Sequence, residues 1–138
     1  MRPPKSTKYR RRSTDTLAGA RRLLAAIPGR LLAPGLAMTE RLLFDLPGPA
    51  GRGLRRLARA LLGRDLTTTA SAFEADFYLA QCENPRERAR AALDPHLHYA
   101  AIGRGRRRSP ARAFDPIHYR LSAPRLSPFR DPFAHFIA

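Results

Sequence analysis

Asp94-Pro-His-Leu-His-Tyr99 and Asp131-Pro-Phe-Ala-His-Phe136 decide how this chain is read. Each sets an aspartate before a proline, a histidine four residues after the aspartate, and an aromatic ring directly after the histidine. That order describes a helix start, in which the carboxylate accepts from free backbone N–H groups and proline fills the first helical position, where no N–H is needed. Upstream, Phe73-Glu-Ala-Asp-Phe-Tyr78 is answered by Phe114-Asp-Pro-Ile-His-Tyr119. These segments are offset by 41 residues and the aspartate motifs by 37, so the second copy is four residues shorter between its anchors. Two matches in the same order at one approximate period mark stacked supersecondary units.

Each copy is expected to work in the same way. The Phe-x-x-x-x-Tyr segment begins a short helix with its rings inward and Glu74, Asp76 or Asp115 near the positively polarised end. Pro85 opens a polar helix, Arg86 to Leu93, in the first copy, and Gly103 closes the helix that follows Asp94. Leu97 and Tyr99, with their counterparts Ala134 and Phe136, are expected to pack inward. The structural positions are therefore Phe73, Tyr78, Asp94, Pro95, His98 and Tyr99, then Phe114, Tyr119, Asp131, Pro132, His135 and Phe136.

Upstream of Phe73 the texture differs. Residues 1–14 hold six basic residues, two prolines and almost nothing apolar, so burial cannot offset the entropy of ordering them, and a disordered basic tail is expected. Residues 15–72 read as short Leu/Ala/Arg helices broken at Pro28-Gly29, Pro34-Gly35 and Pro47-Gly48-Pro49. One helix is expected over Asp15 to Ile27 and another near Leu36 to Leu46. In a third, Leu54, Leu57, Ala58 and Leu61 share a face opposite Arg52, Arg55, Arg56 and Arg59. The expected fold is all-α: short amphipathic helices over 15–72, followed by a two-copy helical repeat module over 73–138.

Charge adds a second theme. Lys+Arg number 26 against 11 Asp+Glu, a net +15, and residues 1–72 carry 15 basic and 4 acidic side chains of that total. Such a field favours polyanions, nucleic acid and anionic lipid alike. The candidate polyanion contacts are Arg10, Arg11 and Arg12 in the tail, Arg52, Arg55, Arg56 and Arg59 on the amphipathic helix, and Arg106, Arg107 and Arg108 between the copies. The last cluster reads first as a solvated turn. Cys82, the single cysteine, excludes an intramolecular disulfide and reads as a small buried side chain. No stretch reaches the roughly 18–20 apolar residues that a membrane span needs.

Phe73, Tyr78, Leu79, Asn84, Pro85, Asp94, Pro95, His98, Tyr99, Gly103, Arg108, Pro110, Phe114 and Asp115 carry a resemblance. Their order resembles the short repeats found beside or within bacterial glycosyltransferases and other cell-surface polysaccharide proteins. Those units run Phe-Asp-x-x-Tyr-Tyr-Leu, Asn-Pro, Asn/Asp-Pro-x-x-His-Tyr, Gly, Gly-Arg, Pro and a new Phe-Asp. The resemblance spans one unit and most of a second. Arg106-Arg107 stands where those repeats tend to have Glu-Gly, the stretch around Cys82 is longer, and the second copy reaches Ala138 without its Gly-Arg close. What the resemblance implies is a helical accessory module that accompanies a catalytic domain.

Chemistry in the chain itself is sparse. Glu74-Ala-Asp76 has the spacing of a metal-holding acid pair but lies at a helix start with no strand before it. His96 and His98 point about 200° apart on a helix and cannot share a metal. Gly103-Arg-Gly-Arg lacks the spacing of a dinucleotide loop. His98 and His135 recur at one repeat position, which points to a hydrogen-bonding role. No catalytic, cofactor-binding or metal-ligating residue is therefore assigned, and no cofactor is expected. The function that the resemblance implies is a non-catalytic accessory or scaffold in bacterial surface-polysaccharide synthesis, as a separate chain or as the amino-terminal part of a glycosyltransferase. Its expected partner is a protein, such as a glycosyltransferase, and its expected place is the cytoplasm, at the periphery of the inner membrane. Two alternatives are a nucleic-acid-binding protein acting through the arginine-rich segments and a peripheral protein of an anionic membrane.

Overall fold

The structure, a computed structural model, describes residues 32–123, 125–126 and 130–138. Helix Asp15 to Ile27 and the tail arginines Arg10, Arg11 and Arg12 lie outside the described residues. Within them the chain is all-α, with no strand. The order is α1 (Leu32–Phe44), α2 (Gly48–Leu61), α3 (Gly63–Thr69), α4 (Ala75–Ala80), α5 (Pro85–Leu93), α6 (Pro95–His98), a π-helical turn (Tyr99–Gly103), α7 (Pro116–Ser122) and α8 (Pro132–Ile137). No described helix is long and apolar enough to cross a membrane.

The helix starts follow the residues that begin them. Asn84 caps α5 by accepting from Arg86 N–H, Asp94 caps α6 by accepting from Leu97 N–H, and Asp131 caps α8 by accepting from Phe133 N–H. Asp115 does the same for α7, accepting from Ile117 and His118 N–H. Each of these helices has proline in its opening positions. The capping oxygens supply acceptors that the first turn cannot find within its own helix.

One expected break is absent. Pro34-Gly35 lies inside the first turn of α1, where proline is tolerated because an N–H there has no intrahelical acceptor. The break expected at Pro47-Gly48-Pro49 does fall between α1 and α2, with Pro47 as the cap and Gly48 and Pro49 opening α2, and Gly51 makes the turn possible, since a Cβ there would collide with the carbonyl of Leu46.

The segment 95–103 is the centre of the molecule. Leu97, His98, Tyr99, Ala100 and Ile102 are all buried, so this short stretch is covered on every side. Leu97, Ala100 and Ile102 join Leu43 and Phe44 of α1 and Leu66 of α3, with Leu54, Ala58 and Leu62 against them. Tyr99 instead enters a second cluster with Tyr78, Cys82, Ala91, Ala111, Phe114 and Phe133. Full burial of a large apolar side chain is worth about 1.5–3 kcal/mol, so this stretch ties α1–α3 to both aromatic motifs. Gly103 belongs to the same packing: a Cβ there would strike the Tyr78 hydroxyl.

Two faces differ from expectation. On α2, Leu54 and Ala58 pack inward, but Leu57 stands 53% exposed, while Arg55 lies partly covered and donates from Nη1 to Leu43 O at 3.1 Å. On α8, Phe133 enters the core and Phe136 remains 46% exposed. The interior place expected for the ring after the histidine is thus taken, in the second copy, by the ring after the proline.

Candidate functional site

The Phe-x-x-x-x-Tyr and Asp-Pro-x-x-His motifs converge in both copies, and they do so contact for contact. Phe73 lies against Tyr78 with ring centroids 5.6 Å apart, and Phe114 against Tyr119 at 5.3 Å. Tyr78 meets Tyr99 edge-on at 5.8 Å and 83°, and Tyr119 meets Phe136 at 5.6 Å and 84°. Phe73 contacts His96 and Tyr99, and Phe114 contacts the equivalent Phe133 and Phe136. The tyrosine hydroxyl reaches the histidine Nδ1 at 2.7 Å in each, Tyr78 to His98 and Tyr119 to His135.

Beyond that shared frame the copies part. His98 is fully buried, stacked at a tilt on Phe44 of α1 at 5.1 Å, and its Nε2 lies 2.9 Å from Glu40 Oε1. An ionised carboxylate can only accept, so Nε2 carries the proton and Nδ1 accepts from the Tyr78 hydroxyl. Tyr78, His98 and Glu40 therefore form a directed chain of hydrogen bonds.

Glu40 continues the chain outward. Arg106 Nη2 donates to Glu40 Oε2 at 2.7 Å and Arg106 Nη1 to Glu87 Oε1 at 2.5 Å, while Arg108 Nη2 donates to Glu87 Oε2 at 2.7 Å. Arg108 also donates to Gln81 O. Burial alone would raise the Glu40 carboxyl, yet hydrogen bonds from Arg106 and His98 outweigh it and hold the pKa below its ordinary value. For His98 burial prevails, and its pKa lies below the usual 6.5 despite the Glu40 bond. Burial likewise pushes up the pKa of Tyr78 and of Cys82.

Glu40, Glu87 and His98 bring one ligand atom each within 4.8 Å of one another, the arrangement of a metal centre among the described residues. Arg106 already bridges the two carboxylates, and the imidazole is held at both nitrogens. A divalent cation would have to displace that guanidinium and meet its positive charge at contact distance. The geometry is that of a charge-compensated structural core, and a buried charge needs this compensation to persist.

The other sequence candidates are placed as follows. Arg55 donates to Leu43 O, and Arg59 forms a two-pronged pair with Asp94 at 2.6 and 2.7 Å. Arg106 and Arg108, read as part of a solvated turn, are partly buried in the ion network, a difference that follows from Glu40 and Glu87 folding beneath them. Arg52, Arg56 and Arg107 are exposed. Glu74 precedes α4 without capping it by its side chain, and accepts instead from Arg112 N–H at 3.0 Å. Asp131, a buried residue of the second copy, accepts from Tyr99 Oη at 3.2 Å.

Sequence reasoning missed Glu40, Glu87 and Arg90. Arg90 forms a two-pronged pair with Asp45 at 2.6 Å and approaches Glu40 at 3.8 Å. A signal was available in the scarcity of acids upstream of Phe73: Glu40, Asp45 and Asp65 all take an arginine from the carboxyl-terminal half, respectively Arg106, Arg90 and Arg104. Compared with protein-family models, with curated proteins and with solved structures, the chain matches none.

Proposed function

We propose that the chain is a non-catalytic helical interaction module of bacterial cell-surface polysaccharide synthesis, acting beside a glycosyltransferase or as its amino-terminal part. The observation that carries the non-catalytic reading is that the most reactive cluster, Tyr78, His98 and Glu40, spends its hydrogen bonds on itself and on Arg106. A general base must offer a free lone pair to a substrate within hydrogen-bond reach. His98 is buried and bonded at both nitrogens.

Support for the polysaccharide setting comes from the resemblance of the repeats. Arg107 adopts a φ of 58° at the place where those repeats tend to carry glycine, so the turn that glycine favours is present although the residue differs. The test is genetic and chemical together. Removing the chain should lower surface polysaccharide in the host, and a folded His98→Gln variant should restore it. Unchanged polysaccharide on removal refutes the setting, whereas failure of a folded His98→Gln variant to restore it refutes the non-catalytic reading.

A further inference from the structure

Tyr119 and His135 reproduce the Tyr78–His98 pair at the same 2.7 Å, but in the second copy nothing among the described residues takes the place of Glu40. His135, Phe136 and Ile137 are exposed, and Tyr119 is half-buried. The opposite side of this element is settled, for Phe133 and Pro132 are buried and α8 packs against α3. One copy of the motif is thus covered by a helix, whereas in its twin His135 and Phe136 are exposed among the described residues.

The covered copy states what fits. Over His98, α1 supplies a carboxylate, Glu40, to Nε2 and an aromatic ring, Phe44, one helical turn later at 5.1 Å. The open copy is more basic in sequence than its twin: the position of Leu79, partly buried in the first copy, is held by exposed Arg120. Arg125 and Arg130, also exposed, lie in the segment between α7 and α8. We infer that the Tyr119–His135–Phe136 face docks an acidic amphipathic helix of a partner protein, with a carboxylate on His135 Nε2 and an aromatic side chain four residues further on against the imidazole. Histidine bonded at Nδ1 has only Nε2 left to orient a ligand, so the carboxylate gives the site its register, and the arginines favour an acidic partner over a basic one.

This assignment rests on the interaction-module half of the reading above and not on its polysaccharide setting. The probe is a synthetic helix of residues 32–46, the chain's own α1, cross-linked through the exposed positions 37 and 41 so that it is helical in solution. Titrated onto the full chain and followed by NMR, it should shift the ring signals of Tyr119, His135 and Phe136 and leave those of His98 in place. Glu40→Gln in the peptide, or His135→Ala in the protein, should each weaken binding about five- to tenfold, as expected for loss of a charge-assisted hydrogen bond. The inference is overturned by lack of saturation up to about 1 mM, by equal affinity of the Glu40→Gln peptide, or by shifts at His98. Self-association of the chain in sedimentation, abolished by His135→Ala, would overturn it in favour of a second copy as the occupant. None of these failures touches the polysaccharide measurement, which needs no peptide.

Discussion

The Tyr78–His98 and Tyr119–His135 pairs share one ring geometry, yet the first is sealed beneath α1 and the second meets water. The aromatic frame is therefore a local property, made in each copy by residues of that copy. Satisfaction of the histidine is not local: Glu40 reaches His98 from 58 residues upstream. A repeat of this kind folds around its rings and acquires its polar partner from whatever packs on it. Burial then separates the same side chain in the two copies: His98 is held within the core, and His135 stays exposed.

The strongest way to break this comparison is to remove each histidine in turn. His98→Ala deletes a fully buried ring, leaves the Tyr78 hydroxyl without its acceptor and takes one hydrogen bond from Glu40. The expected loss is about 2–4 kcal/mol by urea denaturation, combining cavity formation with unsatisfied polar groups. His135→Ala, at an exposed position, is expected to change stability by no more than about 0.5 kcal/mol. Equal losses would mean that the two sites are not distinguished by burial.

A smaller effect comes from protons. Burial depresses the pKa of His98, and burial together with Arg59 depresses that of His96, both below the ordinary 6.5. The unfolded chain then binds these protons more readily, so each group contributes stability that is fully present above about pH 6.5 and is lost as pH falls toward the folded value. Glu40, also depressed, adds a loss of the same sign below its ordinary 4.5. Stability measured by denaturation should fall between pH 7.5 and 5.5, and the slope should be shallower in His98→Gln. An identical slope in that variant would remove His98 from the account.

The helix starts were legible because they are written in neighbouring residues. Asp94-Pro95 and Asp131-Pro132 announce caps that the structure contains, and Pro85 opens α5 as expected. The Glu40–Arg106–Glu87 network was not legible, since its members lie 66 and 19 residues apart and no local period connects them. The face of α2 was misjudged for a different reason. A 100° wheel sorts residues by type, but the stem of Arg55 is apolar enough to be partly covered while its guanidinium turns back to Leu43 O, and Leu57 is left outside. Phe136 shows the same limit: the sequence aligns it with Tyr99, but Tyr99 is buried under the second copy through Asp131 and Phe133, and Phe136 has no such cover among the described residues.

The smallest effect lies in the turn that closes the first copy. Arg107 is the described non-glycine residue with positive φ, 58°, and its side chain is exposed. A left-handed backbone costs a residue with Cβ about 1–2 kcal/mol, whereas glycine there gives back about 0.5–1 kcal/mol through the greater entropy of its unfolded chain. Arg107→Gly should therefore stabilise the protein by about 0.5 kcal/mol, seen as a higher urea midpoint at unchanged m value. The backbone bond from Arg107 N–H to Arg104 O, 3.2 Å, is available to glycine as well. Charge offers a rival cause, because the chain carries +15 and losing any exposed arginine reduces self-repulsion. Arg107→Ala separates the two, since it removes the charge and keeps the Cβ. A gain in the glycine variant alone assigns the strain to the backbone, and an equal gain in both assigns it to charge and leaves the turn unstrained.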